Sequence, residues 1–594
     1  MSRSLIAFLQ SPPRSVEVLP TDSSLQNYPR RILNSVFASV PLQPLKGPLE
    51  VVDVSPSALS VLLPPNLKFS KEEIVKDEKF VNVFAGNDSL DRKDGILGWG
   101  HRYWGTQFGN YAGQLGDGAA ALIGQGNGYE INLKGSGPTP FSRGFDGRKV
   151  LRSSIREYLC SEAMAGLNIP TTRAGSIITS RSDTIARDPD YSGKSIREQC
   201  TVVGRIAKTF FRFGSFECSQ DEEKESVRSN LNFCWEHLIK PLGNENANSF
   251  IQIVTDRTAF TVAKWQAVGF THGVLNSDNM SIIGDTLDYG PFGFIETFDP
   301  HFVPNTSDKF GRYAFSQQPR IAAWNCMRLE ECILKLTENF SPKERFDKFG
   351  VVDEKNRFLN DDISSFFHQR FSLYYKECMR EKLGLEKCKV SDSDFDQILD
   401  QFLELLDLSA CDYTVVFRAL SDLSPHNIIE TREMIMQTFP SEERVFILTS
   451  VGLKVNRQQL DEIDQFAMTR LPELQRVGID LATLTRWRHK LDRIERFKET
   501  NFRIQISQKW EEFLKRIAPL LSVTSRTTMN LVNPIYIPRQ HVLQSAISKA
   551  ESGDYSEVET QRRLFLNPFV RSEKMHKHEA PDLNYYGVCL SCSS

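Results

Sequence analysis

Asn279 and Asp288 are separated by a short stretch that constrains the fold more than any other part of the chain. Met280 to Ile283 reads as an apolar strand, Gly284-Asp285 suits a two-residue turn, and Thr286-Leu287 begins a return strand. Such a hairpin brings the two side chains to one end. A carboxamide and a carboxylate are hard oxygen donors, which suit Mg²⁺ when phosphate oxygens supply most of its other ligands. Asp288-Tyr289-Gly290 alone carries little weight, because any long chain can contain that tripeptide in a surface turn.

The residues before the hairpin add weight. Thr271-His272-Gly273-Val274-Leu275-Asn276-Ser277-Asp278-Asn279 has the form of a catalytic loop. In kinase-like folds a His-x-Asp opens that loop, an Asn five residues after the Asp holds metal, and a later Asp-Phe-Gly holds it again. Val274 stands where the first Asp belongs, yet Asn279 and Asp288-Tyr289-Gly290 keep their places. The metal site survives while the usual base has moved or is lost.

The chain has 594 residues, 40% hydrophobic and 25% charged, with a formal net charge of -3. That length buries a large core and predicts several structural units. No run approaches the roughly eighteen apolar residues that cross a bilayer, Leu62-Leu63-Pro64-Pro65 being one interruption. Balanced charge argues against a protein built to neutralise nucleic-acid phosphates. Arg3 and Arg14, with no acid before Glu17, leave two readings of residues 1–18: a mitochondrial presequence or a disordered N-terminus. Without the former, the chain is expected in the cytoplasm. Eleven scattered cysteines fit mostly reduced thiols.

The organisation predicts an α+β fold: a protein-kinase-like bilobal arrangement with a β-rich N-lobe, a helical C-lobe and a C-terminal helical extension. Residues 25–70, rich in Pro and Leu, are expected to wrap over the larger domain as extended chain. Residues 82–147 are dense in glycine, as in a twisted sheet with tight turns. Val150 to Leu167 predicts a helix ending at Asn168 and Pro170, and Phe250–Val268, Pro319–Leu336 and Ile363–Leu383 predict three more. Asp461–Gln475 and Leu484–Lys498 are amphipathic, with charged faces expected in solvent. The expected boundaries are 1–18 leader, 19–200 N-lobe with its wrap, 201–394 C-lobe with the metal site, 395–569 extension and 570–594 tail. There is no fixed-period repeat.

Tyr129-Glu130-Ile131-Asn132-Leu133-Lys134 alternates so that Tyr129, Ile131 and Leu133 share a face and Lys134 points the other way. An exposed strand lysine is the plainer reading, but Glu157 on the following helix is placed to pair with it. Gly113-Gln114-Leu115-Gly116-Asp117-Gly118 offers a flexible turn whose N–H groups can approach an anion. It is neither a Walker A loop nor a dinucleotide fingerprint. Arg205 and Arg212 lie in apolar sequence, so they need acids or a phosphate ligand.

These motifs resemble the selenoprotein O family of pseudokinases from about Leu19 onward. The anchors are Gly113–Gly118, Lys134-Gly135-Ser136-Gly137, Phe145-Asp146-Gly147-Arg148, Ser154-Ile155-Arg156-Glu157, Arg205 with Arg212, His272–Met280 and Leu287–Phe292. Asn533-Pro534-Ile535-Tyr536 and Gly553–Val558 extend the likeness. The resemblance implies AMPylation: a nucleotidyltransferase moves AMP from ATP to Ser, Thr or Tyr hydroxyls of proteins and releases pyrophosphate, with ATP inverted relative to kinases. It implies Asp278 as proton acceptor, and Asn279 and Asp288 as ligands of Mg²⁺, with Mn²⁺ as the alternative. Lys134, Arg205 and Arg212 grip the phosphates and Glu157 orients Lys134. Gly116, Gly118, Asp146, Gly147 and Asp288 contact the nucleotide. One departure stands out: the family has Gly-Asp-Gly-Arg, whereas Ala119 follows Asp117-Gly118 here.

Cys589 and Cys592 have redox-motif spacing, and Cys592 aligns with the family's selenocysteine. His576 and His578 with these cysteines match no common zinc spacing. The expected partners are therefore ATP and hydroxyl-bearing proteins, with no nucleic acid. A conventional phosphotransferase and a non-catalytic nucleotide-binding scaffold are the competing readings. Val274 opposes the first and the complete phosphate and metal set opposes the second.

Overall fold

The computed structural model describes residues 4–572 apart from 91–94, 96, 189–192, 220–222, 342, 344, 351–361, 451–452, 454 and 477–480, together with 579, 581 and 582. The chain is a mixed α+β protein. Its strands in chain order are β1 (Thr21–Asp22), β2 (Phe37–Pro41), β3 (Glu50–Val54), β4 (Leu97–His101), β5 (Thr106–Gln107) and β6 (Asn110–Tyr111). They continue with β7 (Ala120–Gly126), β8 (Tyr129–Lys134), β9 (Lys149–Val150), β10 (Arg173–Arg187), β11 (Ile196–Ala207), β12 (Phe270–Thr271) and β13 (Gly293–Phe294). Nine of them form one sheet in the order β1-β2-β4-β7-β8-β11-β10-β3, with β9 also on β11. β5–β6 and β12–β13 are separate pairs.

The glycine-rich stretch yields β4, β7 and β8, but the longest strands, β10 and β11, lie outside it. Their β-branched runs Ile177-Ile178-Thr179 and Thr201-Val202-Val203 suit a sheet buried on both faces. Residues 25–70 do not simply wrap over the domain: Phe37–Pro41 and Glu50–Val54 are sheet strands, because their apolar side chains find more burial inside the sheet than over it.

Neighbouring residues on β11 point to opposite faces. Val203 packs with Leu151, Ile155 and Leu159 of the helix Leu151–Gly166. Val202 packs with Ile131, Leu133, Phe80 and Phe84 on the other side. Burying each such side chain stabilises the fold by about 1.5–3 kcal/mol. Helices Phe250–Val268 and Ile363–Leu383 have their expected bounds, and Gln318–Leu336 starts one residue early. Gly269, at φ 77°, ends the first in the left-handed conformation that glycine adopts cheaply.

A further helical core joins Phe395, Phe402, Phe417, Trp510 and Phe513. The two amphipathic segments fall in helices Arg457–Arg476 and Leu481–Phe497, and Leu460, Leu484, Trp487 and Leu491 make a small core there. Among the described residues no helix is long and apolar enough to cross a membrane.

The hairpin after Asn279 is reduced to a turn. Met280 and Thr286 make one isolated bridge, and Gly284 N donates to Ser281 O at 3.2 Å. Ser281 instead pairs with Arg212, and Thr286 also with Thr171, so other segments capture the backbone groups that a ladder would need.

Candidate active site

Strand alternation puts Asn132 and Lys134 on the face of β8 opposite Ile131 and Leu133. The helix Leu151–Gly166 crosses that face and presents buried Glu157. Lys134 Nζ lies 2.9 Å from Glu157 Oε2 and 2.9 Å from Asp288 Oδ1. Arg205 stands opposite Asn132 in the β8–β11 register. Its Nε and Nη2 donate to Asn132 Oδ1 at 3.2 and 2.8 Å, which aims Nη1 at Asp288 Oδ1, 2.5 Å away. Arg212, just past β11, is buried; its Nη1 donates to Asp288 Oδ2 at 3.1 Å and to the Asp278 carbonyl oxygen at 2.8 Å.

Asp288 thus collects three cations. Burial pushes its carboxyl up, but Lys134, Arg205 and Arg212 outweigh burial and hold it well below the usual carboxylate range. Its backbone is left-handed at φ 55°, costing about 1–3 kcal/mol for a non-glycine residue. The flanking residues hold it there: His272 Nε2 bonds Leu287 O at 2.9 Å, and the Tyr289 hydroxyl bonds that of Thr171.

Asp278 sits on the 3₁₀ turn Ser277–Asn279 and is buried. Gln107 Nε2, on β5, donates to its Oδ2 at 2.9 Å, while Oδ1 has no hydrogen-bond partner. Burial raises the carboxyl to about 6, partly offset by Gln107 and Arg212. A carboxylate poised there suits proton abstraction near neutral pH. Backbone packs closely against it: a Cβ on Gly105 would lie 2.7 Å from Asp278 Oδ1. Asn279 Nδ2 donates to the Val274 carbonyl oxygen at 2.9 Å, which orients the amide so that its Oδ1 could hold a cation.

The remaining expected residues line two loops. Asp117, between Gly116 and Gly118, is buried with Oδ1 3.9 Å from Arg212 Nη2, and burial raises its carboxyl against the pull of Arg212 and Arg205. Gly116 adopts φ 127°. Asp146 is not brought to the Asp288 cluster: both its oxygens accept from Arg187 at 2.7 Å and it caps Arg148 N at 2.8 Å. Gly147, at φ 67°, leaves no room for a side chain, since a Cβ would lie 2.1 Å from Gly137 O. Ala119 contributes its carbonyl oxygen, which accepts from Gly135 N at 2.7 Å.

Sequence reasoning missed Asn132, Asp117 and Gln107. Asn132 was signalled by lying two residues before Lys134 on one strand, and Asp117 by its place between the glycines. Nothing marked Gln107. Cys589 and Cys592 lie outside the described residues.

The family model described as Protein adenylyltransferase SelO matches residues 60–564. Protein adenylyltransferase SelO-1, mitochondrial, from Danio rerio is 34% identical over 97% of this chain and 87% of its own length. Protein adenylyltransferase SelO, mitochondrial, from Homo sapiens is 34% identical over 94% and 85%. Protein nucleotidyltransferase YdiU from Burkholderia pseudomallei is 35% identical over 97% and 96%. With matches of that extent reaching across the site residues, this chain belongs to the protein adenylyltransferase SelO family.

Proposed function

We propose that this chain is a protein adenylyltransferase that moves AMP from ATP to Ser, Thr or Tyr hydroxyls of proteins and releases pyrophosphate. The observation that carries the reading is the convergence of Lys134, Arg205 and Arg212 on Asp288, with Asp278 tied to the same Arg212. Names of relatives in bacteria and animals agree with it.

In this reading a protein hydroxyl attacks the α-phosphorus and its proton passes to Asp278 Oδ1, the buried oxygen without a partner. Lys134 and the two guanidinium groups take up the charge that gathers on the departing pyrophosphate. Glu157 holds Lys134 in line. Gly116, Gly118 and Gly147 let backbone approach the nucleotide, and Asp146 shapes its loop through Arg187 and Arg148.

The donor set fits a divalent cation. Among the described residues there is no cluster of three or more His, Cys, Asp or Glu that could hold a metal alone. Asn279 and Asp288 supply two hard oxygens, a number that suits Mg²⁺ sharing phosphate oxygens, with Mn²⁺ the alternative. When bound, the cation neutralises phosphate charge and orients the leaving group.

The large sheet with its helix Leu151–Gly166 supports a kinase-like N-lobe, whose expected bounds of 19–200 need extending because β11 carries the sheet on to Ala207. The helices of 201–394 correspond to the C-lobe and those of 395–569 to the extension. The mitochondrial names of the animal relatives support a mitochondrial location.

The deciding experiment supplies Mg²⁺ with ATP labelled at the α or the γ phosphorus. Protein-bound α label is expected; γ label alone would make the chain a phosphotransferase, and neither label a scaffold.

A further inference from the structure

Lys149 has no part in the site described above. It lies on β9 opposite Thr201 of β11, while Lys134 lies on β8 opposite Val203 of the same strand. Thr201 and Val203 point to one face, so both lysines stand on the face that carries Arg205, about 7 Å apart along the edge of β11 at roughly 3.4 Å per residue. Among the described residues no hydrogen bond or ion pair holds the Lys149 ammonium, in contrast to Lys134.

Its charged surroundings are the phosphate cluster itself. Burial is the largest influence and lowers the amine to about 8; Lys134 and Arg205 lower it further, while Glu157 and Asp288 raise it. A half-buried cation that bonds no acid is poised for an anion from outside the chain.

Lys149 also adjoins the family departure at Ala119. Gly135 N donates to Ala119 O at 2.7 Å, and a Cβ on Gly135 would lie 3.1 Å from Lys149 Cβ. Both positions therefore flank one glycine. We infer that Lys149 is a fourth cationic ligand for the phosphates of ATP, acting on the side of the site where Ala119 carries no charge. This rests on the nucleotide-binding part of the proposed function.

The test uses the full chain with an ATP analogue bearing an acyl group on its terminal phosphate. A nearby neutral amine attacks the acyl carbon, an amide bond forms, the bond from that carbon to the phosphate oxygen breaks, ATP leaves and the proton goes to solvent. Mass spectrometry should find Lys149 acylated, with excess ATP suppressing it. In AMP transfer assays K149M should raise KM for ATP about tenfold with most of the loss in KM, and K149R should recover most of it. Acylation of Lys134 without Lys149, or a K149M KM within twofold of the unsubstituted chain, overturns the inference. If K149M shows no thermal transition, K149R and the labelling of the unsubstituted chain decide. ATP-protected labelling of Lys149 in a chain that transfers no AMP would retract the reaction and keep the ligand assignment.

Discussion

Arg212 and Asp288 are joined by a 3.1 Å bond from Nη1 to Oδ2, and that same nitrogen donates to the Asp278 carbonyl oxygen at 2.8 Å. One guanidinium therefore couples the loop that carries the proposed base to the carboxylate proposed to hold metal. R212A should lower AMP transfer at least hundredfold, in the range seen when a transition-state donor is removed. It should also lower the thermal midpoint, because Asp117 and Asp288 lose a buried partner. Radiolabel transfer and calorimetry measure the two effects; wild-type levels of both would remove Arg212 from the site.

Asp278 tests the chemistry separately from binding. D278N keeps the size and the acceptor for Gln107 but cannot take a proton. The expected fall in kcat is about 10²–10⁴-fold, with displacement of a fluorescent ATP analogue changed by less than threefold. A kcat within threefold of wild type would move the base elsewhere.

Removing Asp288 separates metal from phosphate binding. D288A should abolish metal-dependent AMP transfer, while Lys134, Arg205 and Arg212 lose their shared anion. Metal-free ATP should then bind more tightly than to the unsubstituted chain, as titration calorimetry would show. Full transfer activity in D288A would overturn the site assignment.

Gly105 sets the clearance around Asp278, the proposed base. In G105A the added methyl would stand 2.7 Å from Asp278 Oδ1 and 2.9 Å from its Cβ; turning the carboxylate does not move that Cβ, so the loop carrying Asp278 must shift and strain the Gln107 bond. The expected outcome is a kcat loss of about tenfold, which is about 1.4 kcal/mol in the barrier, with KM for ATP little changed. Steady-state kinetics with varied ATP checks the split.

Lys382 predicts a pH dependence of stability remote from the site. It is buried, donates to Asn533 Oδ1 at 2.9 Å and lies 4.0 Å over the Phe417 ring. Burial lowers its amine to about 7, with Cys378 raising and Lys264 lowering it. The folded state therefore binds fewer protons than the unfolded chain between about pH 7 and the ordinary lysine value of 10.5, so stability rises with pH there and is lost as pH falls towards 7. The slope is at most about 1.4 kcal/mol per pH unit. K382M lacks it, so urea midpoints of the two proteins should diverge in favour of wild type from pH 7 to pH 9; parallel midpoints would refute the assignment.

Local pattern carried much of this architecture. The strand Tyr129–Lys134 and the helices Phe250–Val268 and Ile363–Leu383 have their predicted bounds, because a glycine or a polar cap flanks each of them: Gly128 and Gly135, Ser249 and Gly269, Asp362 and Gly384. The Lys134–Glu157 pair was legible for a similar reason: strand alternation and the next helix leave few places for either side chain. The hairpin after Asn279 failed because its backbone groups bond those of Phe211, Phe213, Pro170 and Thr172, partners remote in sequence.

The sequence by itself determined the residue types of the site and their spacing along each element, which is enough for family, chemistry and most helices. Only the tertiary structure decided that Asp288 faces three cations at once, that Gln107 from a distant hairpin reaches Asp278, and that Lys149 stands beside Lys134. The physical reason is that charge and hydrogen-bond energies depend on distances across the sheet, and register between strands far apart in the chain sets those distances.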